Sequence, residues 1–335
     1  MITSLSSFRF IIALGVFFFH CQPKTESDFI NQFLSTGFVF MTGFFVLSGF
    51  IMAHVYSNTD FTRRENIFNF YLKRFAKIYP TYAFATIVYF YFLHDYTSQQ
   101  ISTVVITNPL LVQGFFPNIF AIGINGGTWS LTVEMFLYFL FPFLILLSAK
   151  SPKILIFSLL IAAITSLNVF IDKSEEYIYA NPVIRLADFM CGIGFYFLKD
   201  KFKKIRFANL LQLAIVFLLV YICVNFVYHM MNMQFIIVPL FGVWITMVYH
   251  SESKIYNNKI LEYLGLISYS FYLWQFFSIE LGKELFKNYP NINVNMVIMI
   301  QFIVNLLISI FSYHFFEERV RKFILIKFAN KTRYN

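Results

Sequence analysis

The chain is a succession of long apolar runs separated by short polar breaks. The runs lie at roughly 7–21, 34–56, 78–94, 129–148, 153–171, 182–199, 207–228, 233–249, 260–281 and 294–316. Several contain about 20 residues, the length that an α-helix needs to cross ~30 Å of hydrocarbon. The pattern predicts an all-α protein, a polytopic membrane helix bundle of about ten transmembrane helices. A further apolar stretch, 101–122, is broken by Asn108, Pro109, Gly114 and Pro117. It reads as a re-entrant or interfacial segment. Repeats, low-complexity tracts and a soluble domain find no support in the pattern. Residues 1–335 therefore read as one membrane domain, with a basic C-terminal tail from about 317.

Composition strengthens this reading. Hydrophobic residues make up 59% of the 335 positions, charged residues 13%, and 47 residues are Phe. Soluble domains carry about 25% charged residues. Such a chain needs lipid as the solvent for most of its surface.

The net charge of +9 raises the question of nucleic acid. The placement of the cations answers it. With a cytoplasmic N-terminus, the inner connections hold 20 Lys and Arg residues, among them Arg63, Arg64, Lys73, Arg74 and Lys77. The outer connections hold 4: Lys24, Lys173, Lys283 and Lys287. This is the positive-inside pattern. It predicts both termini in the cytoplasm and accounts for the basic charge without a nucleic-acid partner. Cys21, Cys191 and Cys223 show no paired spacing and read as small apolar residues, with no metal site expected. The first run lacks a clear small-residue cleavage site and does not read as a discarded signal.

Polar residues inside the runs are the candidates for chemistry. Arg9 and His20 bracket ten residues that are all apolar or glycine. Eleven helical steps turn ~1100°, only ~20° past three full turns, so both side chains share one face ~16 Å apart. Arg9 reads either as a snorkelling inner anchor or as one end of a polar channel whose other end is His20. Ser130, Glu134 and Tyr138 follow at i, i+4 and i+8 and form one polar stripe. An ionisable carboxylate in a span is a functional-site candidate by default. Glu134 is suited to fix the His20 tautomer and stabilise its protonated form. The bland alternative pairs Glu134 with Arg185.

Ser268, Tyr272 and Gln275 form a second polar face, although Gly265 and Ser268 equally suit helix packing. Gly43 and Gly49 read as close-packing or bend residues. Cys21 lies ~100° around the helix from His20 and does not form a dyad with it. His54, His94, His229, His250 and His314 sit at edges or in loops and receive no role. Topology alone asks for the basic residues at 63–77. Arg74 and Lys77, three apart before Tyr79-Pro80, also suit one phosphate group.

Taken together, these segments resemble the acyltransferase-3 family of integral membrane acyltransferases. The resemblance covers nearly the whole chain. It rests on Arg9-x10-His20, GFFVLSGF (43–50), KRFAKIYPTY (73–82), TWSLTVEMFLYFLFP (128–142), IRLADFMCGIGF (184–195), LGLISYSFYLWQ (264–275) and EERV (317–320). It implies transfer of an acyl group, most often acetyl, from cytoplasmic acyl-CoA to hydroxyls of extracytoplasmic glycans. It further implies a catalytic His20 supported by Arg9, in the inner (cytoplasmic) membrane of a bacterium. The chain departs from the family pattern at three points. Lys77 stands where arginine is usual, which keeps the charge but loses the bidentate fork. Gln275 stands where histidine is frequent, and Glu318-Arg319-Val320 lacks the usual proline.

The expected mechanism follows. Arg74, Lys77 and Lys73, with Arg9, hold the phosphates of acetyl-CoA at the inner mouth, because charged phosphates do not enter hydrocarbon cheaply. The pantetheine arm reaches outward. His20 serves as general base on a sugar hydroxyl, a role worth ~10²–10⁴ in rate. An acetyl-histidine intermediate is the other route. Ser130, Tyr138, Trp129, Tyr272 and Gln275 are candidates for substrate or oxyanion contacts. Acetyl-CoA is a substrate here, and no permanently bound cofactor is expected. The acceptor is a surface glycan or its lipid-linked precursor: O-antigen, capsule or exopolysaccharide. The rival reading is a transporter or flippase of lipid-linked sugars.

Overall fold

A computed structural model describes residues 2–92, 98–116, 125–148, 150–171, 179–203, 205, 207–226 and 232–329. The described residues are mostly helical, and no strand occurs among them. Among the described residues, five helices are long and apolar enough to cross a membrane, and two further apolar helices are shorter. The expected all-α class is therefore observed. His94, Pro117, Lys173, Lys204, Arg206, His229, Lys331 and Arg333 lie outside the described residues.

The chain divides into two compact units, Met1–Asn58 with Phe143–Leu266, and Thr59–Pro142 with Ile267–Asn335. The first contains α1 (Thr3–Cys21), α2 (Asp28–Ser35), α3 (Val39–Tyr56), the end of α6 (Trp129–Ser148), α7 (Ile154–Ile171), α8 (Leu186–Phe202), α9 (Ala208–Asn225), α10 (Gln234–Tyr249) and the start of α11 (Lys259–Asn288). Its centre is the crossing of α3 and α8, where small residues let two backbones touch. A Cβ added to Gly192 would sit 1.9 Å from the Val46 carbonyl oxygen, and one on Gly49 would sit 2.0 Å from that of Phe189. A Cβ on Gly265 would lie 2.0 Å from the Ser6 carbonyl oxygen, so α11 begins against the backbone of α1. Small residues at such contacts are the usual device of membrane helix pairs. A Cβ on Gly43 would lie 2.7 Å from the Phe241 ring, and Gly43, Gly49 and Gly265 are thus packing positions. At the other extreme, α9 leaves Leu210, Leu213, Phe217 and Tyr221 more than half exposed. An apolar face of that size is consistent with contact with lipid.

The second unit holds α4 (Arg64–Phe92), α5 (Ser98–Leu110), a 3₁₀ turn (Gln113–Phe115), most of α6 and α11, then α12 (Val294–Ser312), a π turn (Tyr313–Glu317) and α13 (Glu318–Ala329). Three segments differ most from the hydropathy reading. α4 starts at Arg64, not near 78, so the basic segment is the first half of a 29-residue helix. Charge hides that half from a hydropathy scan, and Pro80 lies inside the helix. α11 runs to Asn288, past the apolar window. The broken stretch 101–122 holds α5 and the 3₁₀ turn. It is tied to α4 by Tyr79 Oη donating to the Pro109 carbonyl (2.9 Å) and Tyr82 Oη to that of Asn108 (2.9 Å).

Candidate functional site

In the first unit, α1 is one uninterrupted helix of 19 residues that carries both Arg9 and His20. Gln22 ends it in the left-handed region (φ 44°), with its N–H donating to the Phe18 carbonyl, and Pro23 follows. His20 therefore stands in the last turn. Its ring is half-buried and lies 4.8 Å from that of Phe19. Arg9 is also half-buried, and no carboxylate pairs with it among the described residues. The unbroken helix keeps the shared face that the spacing predicts.

The same unit contains an ion pair absent from the sequence reading. Arg185, 1% exposed, donates from Nη1 to Asp188 Oδ2 (3.0 Å) and Thr42 Oγ1 (3.0 Å), and from Nε to the Tyr179 carbonyl (2.7 Å). Its guanidinium lies 4.6 Å from the centroid of the Tyr179 ring. Among the described residues, the carboxylate that pairs with Arg185 is Asp188, three residues on.

In the second unit, the stripe on α6 is present and occupied. Tyr138 Oη donates to Glu134 Oε1. Ser130 Oγ lies 2.8 Å from Tyr272 Oη, and Tyr272 donates to the Gly127 carbonyl (2.7 Å). Ser130, Tyr272 and the Gly127 carbonyl thus form one buried hydrogen-bonded triangle between α6 and α11. The polar faces at 130–138 and 268–275 meet there. Trp129 is buried beside it. Gln275 is fully buried, and neither atom of its amide has a hydrogen-bond partner among the described residues.

The cations on α4 diverge. Lys73 is exposed. The Arg74 guanidinium lies 5.6 Å from the centroid of the Tyr138 ring and 5.9 Å from that of Phe70. Lys77 pairs with Glu317, whose other oxygen accepts from Ser270 Oγ (2.6 Å). Glu317 and Ser270 lie within the EERV and LGLISYSFYLWQ segments but receive no individual role from the sequence, which singles out Glu318 instead. Glu318 pairs locally with Arg321 and Lys322. The π turn that ends at Glu317 shifts the helical phase, so a regular helical wheel does not show which of the adjacent glutamates turns inward.

The Acyltransferase domain family, acyltransferase-3, matches residues 2–314. The O-acetyltransferase OatA of Staphylococcus aureus (strain NCTC 8325 / PS 47) is 25% identical over an alignment of 352 positions, covering 95% of this chain and 57% of that protein. The acyltransferase MdmB of Streptomyces mycarofaciens is 31% identical over 163 positions, 44% of this chain and 40% of its own length. The matched chain thus spans little more than half the length of OatA and less than half that of MdmB. No solved structure matches it. The motifs on α1, α3, α4, α6, α8 and α11 all fall within the matched residues, and the chain belongs to the acyltransferase-3 family.

Proposed function

We propose that the chain is a membrane O-acyltransferase that moves an acetyl group from cytoplasmic acetyl-CoA to a hydroxyl of a surface glycan or its lipid-linked precursor. The observation that carries the reading is the single face of α1 bearing Arg9 and His20, in a chain of this family. Similarity to the O-acetyltransferase OatA favours acetyl as the group transferred.

His20 takes the proton of the acceptor hydroxyl as its oxygen attacks the thioester carbonyl. The tetrahedral intermediate collapses, the C–S bond breaks, and the thiolate leaves with that proton. The products are an O-acetyl ester and the free thiol. Glu134 is the second catalytic group, its carboxylate oriented by Tyr138. Ser130 and Tyr272 are suited to hydrogen bonding at the developing oxyanion, with Trp129 and Gln275 beside the acceptor. Arg74, Lys77 and Lys73 hold donor phosphates, and Arg9, at the inner end of α1, supports His20. The protein is placed in the cytoplasmic membrane of a bacterium, with about ten spans and both termini inside. O-antigen, capsule and exopolysaccharide are the acceptor classes.

Mass spectrometry of surface glycans from cells with and without the protein tests the reading. The expected result is a glycan that carries an added acetyl mass only when the protein is present. Identical acetylation in both, with a change in the amount of exported glycan, refutes it in favour of a transporter.

A further inference from the structure

Lys77 and Glu317 form a buried ion pair in the second unit. Glu317 is 1% exposed, and the Lys77 side chain is 26% exposed. A carboxylate so deep needs compensation for its lost hydration. Two groups supply it, the Lys77 ammonium and the Ser270 hydroxyl at 2.6 Å. Glu317 reaches this position from the last residue of the π turn Tyr313–Glu317. Such turns inside long helices concentrate at functional sites. The Lys77 ammonium also lies near the rings of Tyr269 and Tyr313, at 5.6 and 5.9 Å from their centroids. Tyr269 in turn donates to the Ile78 carbonyl on α4 (2.7 Å). Groups from α4, α11 and the π turn thus converge on one ammonium.

An ammonium has three N–H donors, and the pair with Glu317 leaves others for a ligand. A lysine stem is flexible, so an untethered Lys77 would have to be ordered each time a phosphate bound. We propose that Glu317 is a positioning residue. It holds the Lys77 ammonium in place, so that the remaining N–H groups meet the phosphates of the acyl donor. Ser270 fixes the carboxylate, and the π turn aims it. This rests on the donor reading given above.

The test compares kcat and KM in purified full-length protein for two thioesters, acetyl-CoA and acetyl-pantetheine, which lacks the phosphates. Glu317→Gln is expected to raise KM for acetyl-CoA about tenfold. KM for acetyl-pantetheine is expected to stay within about twofold. Equal changes for both thioesters, no change, or a lower KM for acetyl-CoA would each overturn the proposal. The last would mark Glu317 as a competitor of phosphate.

If Glu317→Gln does not insert and fold, Ser270→Ala keeps both charges. It is expected to show the same selective rise in smaller measure, and an unchanged ratio of the two KM values overturns the assignment. The exchange Lys77→Glu with Glu317→Lys restores a pair but moves the cation. It is expected to keep the raised KM for acetyl-CoA, whereas a return to the wild-type value would show a purely structural tie. A wild type that transfers nothing from either thioester would refute the functional reading itself. The positioning role is then read from binding of adenosine 3′,5′-bisphosphate, expected to weaken about tenfold in Glu317→Gln. Equal binding overturns it.

Discussion

Replacing Asp188 by leucine leaves the Arg185 guanidinium buried without its counter-charge. Both side chains are almost fully enclosed, at 1% and 3% exposure. Arg185 keeps its bonds to the Tyr179 carbonyl and Thr42 but loses the only carboxylate that pairs with it among the described residues. Removing one partner of a buried ion pair costs about 3–5 kcal/mol. Asp188→Asn keeps an acceptor and loses the charge, so about 1–3 kcal/mol is expected. The double replacement Arg185→Met with Asp188→Leu removes both charges and forfeits the two bonds from Arg185 to neutral acceptors. Its expected loss is about 1–2 kcal/mol, less than that of Asp188→Leu alone. Thermal unfolding in detergent, followed by the helical circular dichroism signal, gives the order of midpoints. Wild type is expected highest, then the double replacement, with Asp188→Leu lowest. A single replacement as stable as the wild type, or more stable than the double, refutes the assignment of Asp188 as the counter-charge.

Two further predictions concern packing and chemistry. Gly192→Ala places a methyl group 1.9 Å from the Val46 carbonyl oxygen. It should lower stability by about 1–3 kcal/mol in the same melt, whereas Gly126→Ala, whose added Cβ lies 3.3 Å from the Phe276 ring, should be tolerated. Equal midpoints for these two variants would remove the backbone contact from the account. Tyr138→Phe deletes the hydroxyl that donates to Glu134. A hydrogen bond to a charged group is worth about 1.5–3 kcal/mol, so kcat should fall about tenfold or more with the fold intact. An unchanged kcat would separate Glu134 from the chemistry.

The helical class and much of the helix placement were legible because lipid imposes length and apolarity on a spanning segment. α6, α7 and α10 fall within about two residues of the runs that mark them. α4 was only half visible, since its first turns are basic and a hydropathy scan reads charge as a loop. The shared face of Arg9 and His20 was legible because one regular helix fixes it. The partners of Arg185 and Lys77 had different origins. Asp188 stands three residues from Arg185, a spacing that helical geometry favours and that was open to inspection. Glu317 is 240 residues from Lys77 in sequence, and a π turn sets its direction. No local pattern reports such a pairing. The triangle of Ser130, Tyr272 and the Gly127 carbonyl lies between these cases. Each polar face was visible, and only the packing of α6 against α11 joins them.

The proposed acetyl transfer by this chain turns on the imidazole of His20. Purified wild-type protein and His20→Ala, matched for membrane insertion and helical content, are to be given radiolabelled acetyl-CoA and a glycan acceptor. The ester-linked label on the glycan is then counted. The account predicts transfer by the wild type and none above background by His20→Ala. Transfer at the wild-type rate by the alanine variant would contradict it.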